Sequence, residues 1–504
     1  MKNQIPVIDL FAGAGGLSEG FFAYKYRNRK VFKIGLSVEK DPSAVKTLEL
    51  RSFFRQFPEG QVCGQYYEYL KGAIDRDDFF KTPGLQTQIN AAREEICDLE
   101  LGLDNKEIHQ RIKQLVDKET PWVLLGGPPC QAYSIAARAK KSKPYDKRHY
   151  LYEEYLKVIG EFQPTVFLLE NVKGILSSRT ESEYLYGRIE NDLQAPHLAI
   201  NQTTGKYGKC KYQLYSFTKE ARQQSLFDND YKLRPKDFIV SSEEHGVPQK
   251  RHRVFILGIK DGLDVCPDIL NNNDQPVPVS SAIGDLPELR SSLSSKIDSY
   301  ESWCSAVRGI LEYPGFSNGA FKDLKLKNDI IYSLKRIKHN LPTGENFCSI
   351  KGQRKRFPFN SGWFIDNKLD GFCNHKTRGQ MASDLHRYFF SSCYAKIYGR
   401  SPKLADMPDF LLPKHKSAHK GTKEPMFTDR FKVQVSNQPA STIVSHISKD
   451  GHYYIHPDPL QCRSFTVREA ARIQTFPDNY FFEGSRTAQY IQVGNAVPPL
   501  LSHQ

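Results

Sequence analysis

The clearest structural signal in the chain is the stretch Val7-Ile8-Asp9-Leu10-Phe11-Ala12-Gly13-Ala14-Gly15-Gly16-Leu17. Its apolar start predicts a short strand, its glycines predict a tight turn, and the residues from Leu17 to Tyr26 predict a helix. A second strand is predicted over 31–38, so that the segment forms a β-α-β unit. Because such a unit places parallel strands in one sheet with a helix on its face, the sequence predicts an α/β fold.

The glycine turn is a candidate ligand site. It follows a strand and opens a helix, so its backbone N–H groups can approach a ligand at the helix N-terminus. The G-x-G-G spacing differs from the dinucleotide motif G-x-G-x-x-G, and no lysine follows as it does in a P-loop. The next strand ends at Val38-Glu39, where an acidic side chain can hydrogen-bond ribose hydroxyls. Turn and acid together predict an adenosine-type cofactor, with a tight turn that binds no ligand as the alternative.

A candidate nucleophile follows the next buried strand, Trp122-Val123-Leu124-Leu125. The chain continues as Gly126-Gly127-Pro128-Pro129-Cys130-Gln131, and the two prolines end the strand because neither can donate to a sheet. A thiol held by such stiff backbone at a strand end is placed like a nucleophile. The alternative is a buried cysteine that packs as a small hydrophobic residue.

Glu170 is a candidate acid at a third strand end. The strand predicted over 165–169 leads into Glu170-Asn171, and in a parallel sheet two strand ends can converge on one crevice. A thiolate and a carboxyl group in one crevice suit attack on an electron-poor ring, because the acid can protonate a ring nitrogen. For Glu170 the alternative is a helix cap or a surface turn.

Three planar donors precede a further strand, in Gln249-Lys250-Arg251-His252-Arg253. Residues two apart in a strand share a face, so Gln249, Arg251 and Arg253 are predicted to point the same way. They could bind a carbonyl, a carboxylate or a phosphate. A charged strand entrance on the surface is the alternative.

Composition limits the class of protein. With 504 residues, two or three domains are expected. No run of eighteen apolar residues predicts a membrane span, and a strand begins almost at once, so we expect no leader segment and a cytoplasmic protein. The ten cysteines include no C-x-x-C pair, so no metal site is predicted. The formal charge of +14 favours a polyanionic partner, with nucleic acid first and an anionic membrane second.

The pattern changes at about residue 263, where Pro, Ser, Asn and Lys become frequent and loops are predicted. Basic and aromatic residues alternate at 354–357, 375–378 and 386–388, which is typical of a nucleic-acid surface, although a solvated lysine-rich surface is equally consistent. From about 431 order returns, with a strand predicted over 440–445 and a helix over 466–474.

Six stretches of the chain occur together, and in the same order, in one enzyme family. They are Asp9-Leu10-Phe11-Ala12-Gly13-Ala14-Gly15-Gly16-Leu17, Pro129-Cys130-Gln131, Glu170-Asn171-Val172, Gln249-x-Arg251-x-Arg253, Arg463-Ser464-Phe465-Thr466-Val467-Arg468-Glu469-Ala470-Ala471-Arg472-Ile473-Gln474-Thr475-Phe476 and Gln492-Val493-Gly494-Asn495-Ala496-Val497-Pro498. In these motifs the chain resembles the cytosine-5 DNA methyltransferases of the bacterial restriction–modification type. One motif could arise by chance, whereas six in the family's order are very specific.

The resemblance implies a fold and a reaction. The fold would be a Rossmann-like methyltransferase sheet with helices on both faces, plus a smaller irregular target-recognition domain. Residues 1–262 would form the N-terminal part of the catalytic domain, 263–430 would bind DNA, and 431–504 would return to the catalytic domain. The enzyme would transfer a methyl group from S-adenosylmethionine to C5 of a cytosine that is flipped out of a specific site in duplex DNA.

The resemblance also implies roles for individual residues. Cys130 would attack C6 of the base, Glu170 would engage N3, and Arg253 would brace the base, with Arg251 and Gln249 in the same catalytic set. The expected cofactor contacts are Phe11, Gly13, Gly15, Gly16, Leu17, Glu39 and Asn495. Either Asp98 or Glu100 would contact the adenine amino group.

Other functions remain open at this stage. A relative acting on tRNA would have the same charge, but the long insertion favours DNA. A non-catalytic DNA-binding module on this fold would be expected to lose Cys130 or Glu170, and both are present. An N-methyltransferase would carry an aromatic residue where Cys130 stands. We expect a monomer that does not bind membranes, acting on double-stranded DNA, with a paired restriction endonuclease for the same site.

Overall fold

The computed structural model describes residues 4–117, 119–128, 150–177, 185–204, 209–220, 233–273, 275–294, 297–317, 321–350, 359–413 and 430–504. The chain divides into two compact units. Unit 1 comprises Met1–Val62, Pro83–Gln275 and Ala496–Gln504, and unit 2 comprises Cys63–Thr82 and Pro276–Asn495. Within the described residues, every helix is too short or too polar to cross a membrane.

The secondary structure alternates strands and helices through the first half of the chain. The strands are β1 Ile5–Leu10, β2 Lys25–Tyr26, β3 Arg29–Lys30, β4 Phe32–Glu39, β5 Ile96–Asp98, β6 Val123–Gly126, β7 Val166–Val172, β8 Tyr212–Tyr215, β9 Ile239–Ser241, β10 Gln249–Lys250, β11 His252–Lys260, β12 Ser292–Leu293, β13 Gly344–Ser349, β14 Gly371–Lys376, β15 Gly379–Gln380 and β16 Ala440–Ser441. The α-helices are α1 Gly16–Ala23, α2 Pro42–Arg55, α3 Gly64–Leu70, α4 Arg76–Phe80, α5 Gln86–Glu95, α6 Asn105–Leu115, α7 Tyr150–Phe162, α8 Gly174–Ser177, α9 Leu185–Gln194, α10 Pro196–Thr204, α11 Val279–Ile283, α12 Tyr300–Arg308, α13 Pro314–Ser317, α14 Leu324–Lys335, α15 Ser361–Phe364, α16 Ala382–Tyr398, α17 Val467–Ile473, α18 Arg486–Asn495 and α19 Pro499–His503. Short 3₁₀ helices lie at Pro235–Phe238, Ser242–His245, Gly309–Glu312, Leu404–Asp406, Asp409–Leu411 and Ser445–Ser448.

Unit 1 is built on one large sheet, whose strand order is β5-β4-β1-β6-β7-β11-β8 with β9 also paired to β11. Strands β5, β4, β1, β6 and β7 are parallel, while β11 runs antiparallel to β7, β8 and β9. The prediction of a mostly parallel α/β sheet is therefore confirmed. The parallel strands end together at what we call the carboxyl edge, which is where ligands bind in open α/β sheets.

Both faces of this sheet are covered by helices. Ile8 and Leu10 of β1 pack in one apolar cluster with residues of α6, α7 and α9. Val7 belongs to a second cluster with residues of α1 and α19. Because successive side chains of a strand point to opposite faces, this alternation shows that each face has its own core.

The first helix and the C-terminal segment are in close contact within unit 1. A Cβ atom added at Gly16 would lie 2.1 Å from the carbonyl oxygen of Val497, and one at Gly20 would lie 2.5 Å from that of Pro499. The hydroxyl of Ser502 donates to the carbonyl of Leu17 at 2.7 Å. The glycines of α1 therefore let α19 pack directly on the helix that follows the glycine turn.

Replacing Gly16 by alanine is expected to lower the free energy of unfolding by about 1–3 kcal/mol, because the new methyl group overlaps a backbone carbonyl that cannot rotate away. Urea denaturation of the two proteins measures this difference. Gly187→Ala is the matched control, since Gly187 is the third residue of α9 and a Cβ atom there meets nothing within 4 Å, and it should stabilise the fold by about 0.4–1 kcal/mol. Equal stability of Gly16→Ala and the wild type would contradict the contact.

Helix α1 is shorter than predicted. It ends at Ala23, where the sequence pattern predicted a helix to Tyr26, and the chain then forms the hairpin β2–β3. The pattern was misleading because Tyr24 and Tyr26 continue the apolar character of Phe21 and Phe22. In the hairpin, Arg27 and Asn28 take positive φ angles of 48° and 60°, which no helix permits.

Unit 2 has a helical core in the region that the sequence predicted as loops. Residues of α12, α14 and α16 share one apolar cluster that includes Trp303, Ile330 and Phe389, each fully buried. The helices were missed because lysine and serine interrupt their apolar periodicity. The strand predicted over 440–445 is only β16 at Ala440–Ser441, and a 3₁₀ helix follows at Ser445–Ser448.

Helix α17 confirms the prediction over 466–474, and it is held by buried arginines. Thr466 caps its first turn and forms a capping box with Glu469. Arg463 binds both carboxylate oxygens of Glu469 at 2.6 Å, and Arg472 pairs with Asp285 and Asp478. The charges of Arg463 and Arg472 thus serve the packing of unit 2, because each of these two buried guanidinium groups has a carboxylate partner.

Candidate active site

The glycine turn lies at the carboxyl edge, between β1 and α1. Phe11, Gly13 and Gly15 have φ angles of 59°, 56° and 76°, so the turn uses left-handed backbone at three positions. A Cβ atom added at Gly13 would meet nothing within 4 Å. The backbone at Gly13 is therefore open to a ligand, and its positive φ explains the glycine.

Glu39 holds the glycine turn from the end of β4. Its Oε2 accepts a hydrogen bond from the Gly13 amide at 2.8 Å. Its Oε1 accepts from the amides of Lys40 at 2.9 Å and Asp41 at 2.8 Å. A carboxylate oxygen can accept two hydrogen bonds, so Oε2 can still accept one from a ligand hydroxyl.

Of the two candidates for the adenine contact, Asp98 is the last residue of β5 and Glu100 lies two residues beyond it, at the same edge. Asp98 pairs in register with Glu39 and is exposed. Glu100 accepts a hydrogen bond from Lys40 Nζ at 2.7 Å. Glu100 is thus engaged by Lys40, whereas Asp98 is exposed directly beside Glu39.

The end of β6 lies against Glu170. A Cβ atom added at Gly127 would be 3.1 Å from Glu170 Oε2, and the side-chain amide of Asn171 donates to the carbonyl of Pro128 at 3.2 Å. The strands β6 and β7 are thus tied together where both end. Cys130 lies outside the described residues, so its role as nucleophile stays a prediction.

Glu170 and Arg253 form an ion pair at the carboxyl edge. Arg253 is the second residue of β11 and lies beside the end of β7, and its Nε lies 3.3 Å from Glu170 Oε1. Each side chain is 14% exposed. Burial raises the pKa of Glu170, and the charges of Arg253 and Arg251 partly oppose that rise. The carboxyl group is therefore easier to protonate than an ordinary glutamate while remaining next to a fixed positive charge.

Gln249, Arg251 and Arg253 do not lie on one continuous strand. Strand β10 ends at Lys250 and β11 begins at His252, so the prediction of regular alternation was wrong at Arg251. The Arg251 amide donates to the carbonyl of Gln249 at 3.0 Å, which is a turn contact and not a sheet contact. Gln249 and Arg251 are buried. The charges of Arg251 and Arg253 nevertheless both oppose the rise in the pKa of Glu170, so two positive charges act on that carboxyl group.

Three residues of this edge were given no role of their own by the sequence analysis. Asp9 is 1% exposed and accepts a hydrogen bond from the Ser18 hydroxyl, which ties β1 to α1 beneath the glycine turn, and burial raises its pKa to about 6. Tyr155 packs its ring against Gly126 and donates its hydroxyl to the carbonyl of Leu168 at 3.2 Å. Asn171 joins β7 to Pro128. An aspartate inside an apolar strand was the one available signal, since burying it requires a partner.

The predicted nucleic-acid clusters of unit 2 are corrected by their burial. His375 and Tyr388 are fully buried, and Arg378 is 8% exposed. His375 Nδ1 lies 2.9 Å from Thr466 Oγ1, and Arg378 donates to the carbonyl of Ile447 at 2.7 Å. The clusters at 375–378 and 386–388 therefore mainly serve the fold. The cluster at 354–357 lies outside the described residues.

Asn495 is the last residue of α18 and is exposed. Two residues further along the chain, Val497 packs on Gly16. Its predicted contact with the cofactor stays a prediction. In the described parts of both units, no group of three His, Cys, Asp or Glu side chains is placed to hold a metal ion.

Comparisons with known proteins point to one enzyme family. A model described as C-5 cytosine-specific DNA methylase matches residues 100–193 and 218–504. The chain is 31% identical to the Type II methyltransferase M.Bpa9945I of Bacillus paralicheniformis, over 98% of this chain and 96% of that protein. It is 26% identical to the Type II methyltransferase M.AgeI of Thalassovita gelatinovora, over 99% and 97% of the two chains. It is 23% identical to the DNA (cytosine-5)-methyltransferase PliMCI of Paracentrotus lividus, over 99% of this chain and 28% of that protein.

Proposed function

The chain belongs to the C-5 cytosine-specific DNA methylase family, and from that premise we propose that it methylates cytosine in duplex DNA through a covalent bond between Cys130 and C6 of the base. The proposed methyl donor is S-adenosylmethionine. The single observation that carries the proposal is the position of Glu170, whose carboxyl group lies against the backbone of Gly127, three residues before Cys130. A polar acid beside the segment that bears the thiol is what addition to a pyrimidine ring requires.

The residues of the carboxyl edge suit the steps of this reaction. The Cys130 thiolate forms a bond to C6 while the Glu170 carboxyl group gives its proton to N3, so the electrons of the ring move to C5. C5 takes the methyl group, whose bond to the donor breaks with its electrons left on the donor, and C5 then loses its own proton to a base. The Cys130 sulfur leaves with the electrons of the S–C6 bond as the double bond between C5 and C6 forms again, and the N3 proton returns to Glu170. Arg253 supports the first step because its charge stabilises the carboxylate that forms.

The residues present at the glycine turn fit the proposed donor. Gly13 has open space where a side chain would stand, and Glu39 Oε2 can accept a ribose hydroxyl. Asp98, exposed beside Glu39, is our choice for the adenine amino group. S-adenosylmethionine would supply an electrophilic methyl group there. Backbone amides of the turn, including those of Gly15 and Gly16, and the side chains of Phe11 and Leu17 would hold it in place. Asn495 is the one proposed contact from the far end of the chain.

A methyl-transfer assay tests the proposed function. The protein is incubated with a tritiated methyl donor and either duplex DNA or tRNA, and the modified DNA is mapped by bisulfite sequencing. We expect label in DNA alone, at cytosine C5 within one short sequence. Label in tRNA alone, or at an exocyclic nitrogen, would overturn the proposal.

The proposal extends to the cellular setting. Similarity over nearly the full length to two Type II methyltransferases supports a restriction–modification role with a paired endonuclease for the same site. Because the proposed substrate is the cell's own DNA, the proposed compartment is the cytoplasm. We propose a monomer, since one chain carries all the residues assigned to the reaction.

A further inference from the structure

The hairpin β2–β3 carries an unusual density of positive charge. Its residues 25–30 read Lys-Tyr-Arg-Asn-Arg-Lys, and β2 pairs antiparallel with β3. The two-residue turn, Arg27-Asn28, has positive φ at both positions, as in a type I′ turn. The hairpin is therefore a short ribbon with two arginines and an asparagine at its tip.

The hairpin lies at the edge of the sheet opposite the carboxyl edge. It connects the end of α1 to the start of β4, and Phe32 at that start pairs with Ile5, the first residue of β1. The six residues of β1 separate the two edges by about 20 Å. A duplex bound at the carboxyl edge would therefore not reach the hairpin, because the sheet of unit 1 lies between them.

The charges at the tip face solvent, while those at the base are engaged. Lys25 forms an ion pair with Glu59, and Lys30 Nζ lies 3.0 Å from the centroid of the Phe22 ring. Arg27 and Arg29 are exposed, and Tyr26 is 59% exposed. Within the described part of the chain, neither arginine has a carboxylate partner. Among the described residues the tip therefore presents two guanidinium groups that no carboxylate neutralises, and that of Arg27 lies 5.3 Å from the centroid of the exposed Tyr26 ring.

This arrangement opposes stability in two ways. Lys25 stands directly across from Lys30, and like charges at facing positions destabilise a strand pair. Arg27 takes a left-handed conformation that suits glycine or asparagine better. An exposed turn that keeps facing lysines, and an arginine where asparagine or glycine would fit better, suits a binding role.

We propose that the tip of the hairpin binds the phosphates of a second segment of duplex DNA, distinct from the segment that is methylated. The choice of DNA rests on the proposed function, because DNA is then the polyanion that the enzyme meets in excess. Planar guanidinium groups pair well with phosphate oxygens, and a two-stranded ribbon is narrow enough to enter the major groove. Such contact would let the enzyme hold two stretches of one long molecule at the same time.

A bridging assay tests this inference. Beads carry a long genomic DNA fragment, and a fluorescent duplex without cytosine is added after the protein. We expect wild type to capture the second duplex, and Arg27→Asn/Arg29→Gln to capture less than about one fifth as much at low salt. Asparagine keeps the turn conformation at position 27. Methylation of the bead fragment should stay within about twofold, because the hairpin is remote from the reaction.

Lys106→Gln/Lys113→Gln is the matched control, since it removes two exposed positive charges from α6. It should capture the second duplex as wild type does. The inference is overturned if wild type captures no second duplex, if the hairpin variant captures as much as wild type, or if both double variants lose capture equally. Failure of the proposed function would appear separately, as absence of methylation by the wild type whatever the capture.

Discussion

The Cys130→Ser variant is expected to lose methyl transfer by at least about a thousandfold, because removal of the nucleophile from a covalent mechanism leaves only binding and positioning. A serine hydroxyl is hardly ionised at neutral pH, so it cannot add to C6 as a thiolate can. Single-turnover rates with a tritiated donor measure the loss. Affinity for duplex DNA, measured by gel shift, should change by no more than about threefold, since the substitution removes one sulfur atom and no charge contact.

Cys266→Ser is the control for this experiment. Cys266 is an exposed free cysteine of unit 1, so its replacement changes the thiol content of the protein without touching the carboxyl edge. It should methylate at the wild-type rate. A normal rate for Cys130→Ser would remove the covalent mechanism, whatever the control does.

A duplex with 5-fluorocytosine at the target position examines the same bond directly. After methylation, the fluorine at C5 cannot leave as the proton does, so the sulfur–carbon bond persists and the protein–DNA adduct survives denaturing electrophoresis. We expect the adduct with wild type and with Cys266→Ser, and none with Cys130→Ser. An adduct formed by Cys130→Ser would assign the nucleophile to another residue.

The sequence predicted the carboxyl edge well because its signals are local. Apolar runs predicted β1, β4, β6 and β7, and polar residues directly after them marked Glu39 and Glu170. In a parallel sheet the strand ends must meet at one edge, so the four local patterns together predicted one candidate site. What the pattern could not give is the pairing of Glu170 with Arg253, because that contact depends on β11 running antiparallel to β7.

Buried charge is where the sequence was least informative. Arg468 and Arg472 are four residues apart on α17 and would be expected on a solvated face, yet both are fully buried. Arg468 donates to the carbonyls of Cys373, Pro477 and Tyr480, and Arg472 pairs with two carboxylates. These partners are distant in sequence or lie in turns, so no periodicity reveals them. The same limit explains why both interpretations of the basic clusters at 375–378 and 386–388, a nucleic-acid surface and a solvated one, place on the surface residues such as His375 and Tyr388 that are buried.

Glu170→Gln is expected to lower the rate of methyl transfer by about 10²–10³-fold, because the amide can hydrogen-bond N3 but cannot give it a proton. Glutamine suits the test better than alanine because its carbonyl oxygen can still accept a hydrogen bond from Arg253, whose side chain is only 14% exposed. Leaving that guanidinium without any partner would confuse loss of chemistry with loss of structure. Affinities for the methyl donor and for DNA should remain within about threefold, since neither depends on the proton.

The pH dependence separates a proton donor from a merely structural residue. Burial raises the pKa of Glu170, so the carboxyl group stays protonated to higher pH than an ordinary glutamate and loses its proton as the pH rises through that value. The wild-type rate should therefore fall on the alkaline side of its profile, and Glu170→Gln should lack that fall. Arg253→Gln removes a positive charge that opposes the rise, so it should move the alkaline fall to higher pH.

Glu243→Gln supplies the matched control for Glu170→Gln. Glu243 is a half-buried glutamate that accepts a hydrogen bond from His252 Nε2 at 2.8 Å, one residue from Arg253 in sequence. Its replacement removes the same charge near the same strand, so a general effect of charge or of β11 stability would appear in both variants. We expect the control to keep the wild-type rate within about threefold and to keep the alkaline fall. Equal losses in the two variants, or an unchanged pH profile in Glu170→Gln, would show that Glu170 holds β7 to β11 without giving a proton to the base.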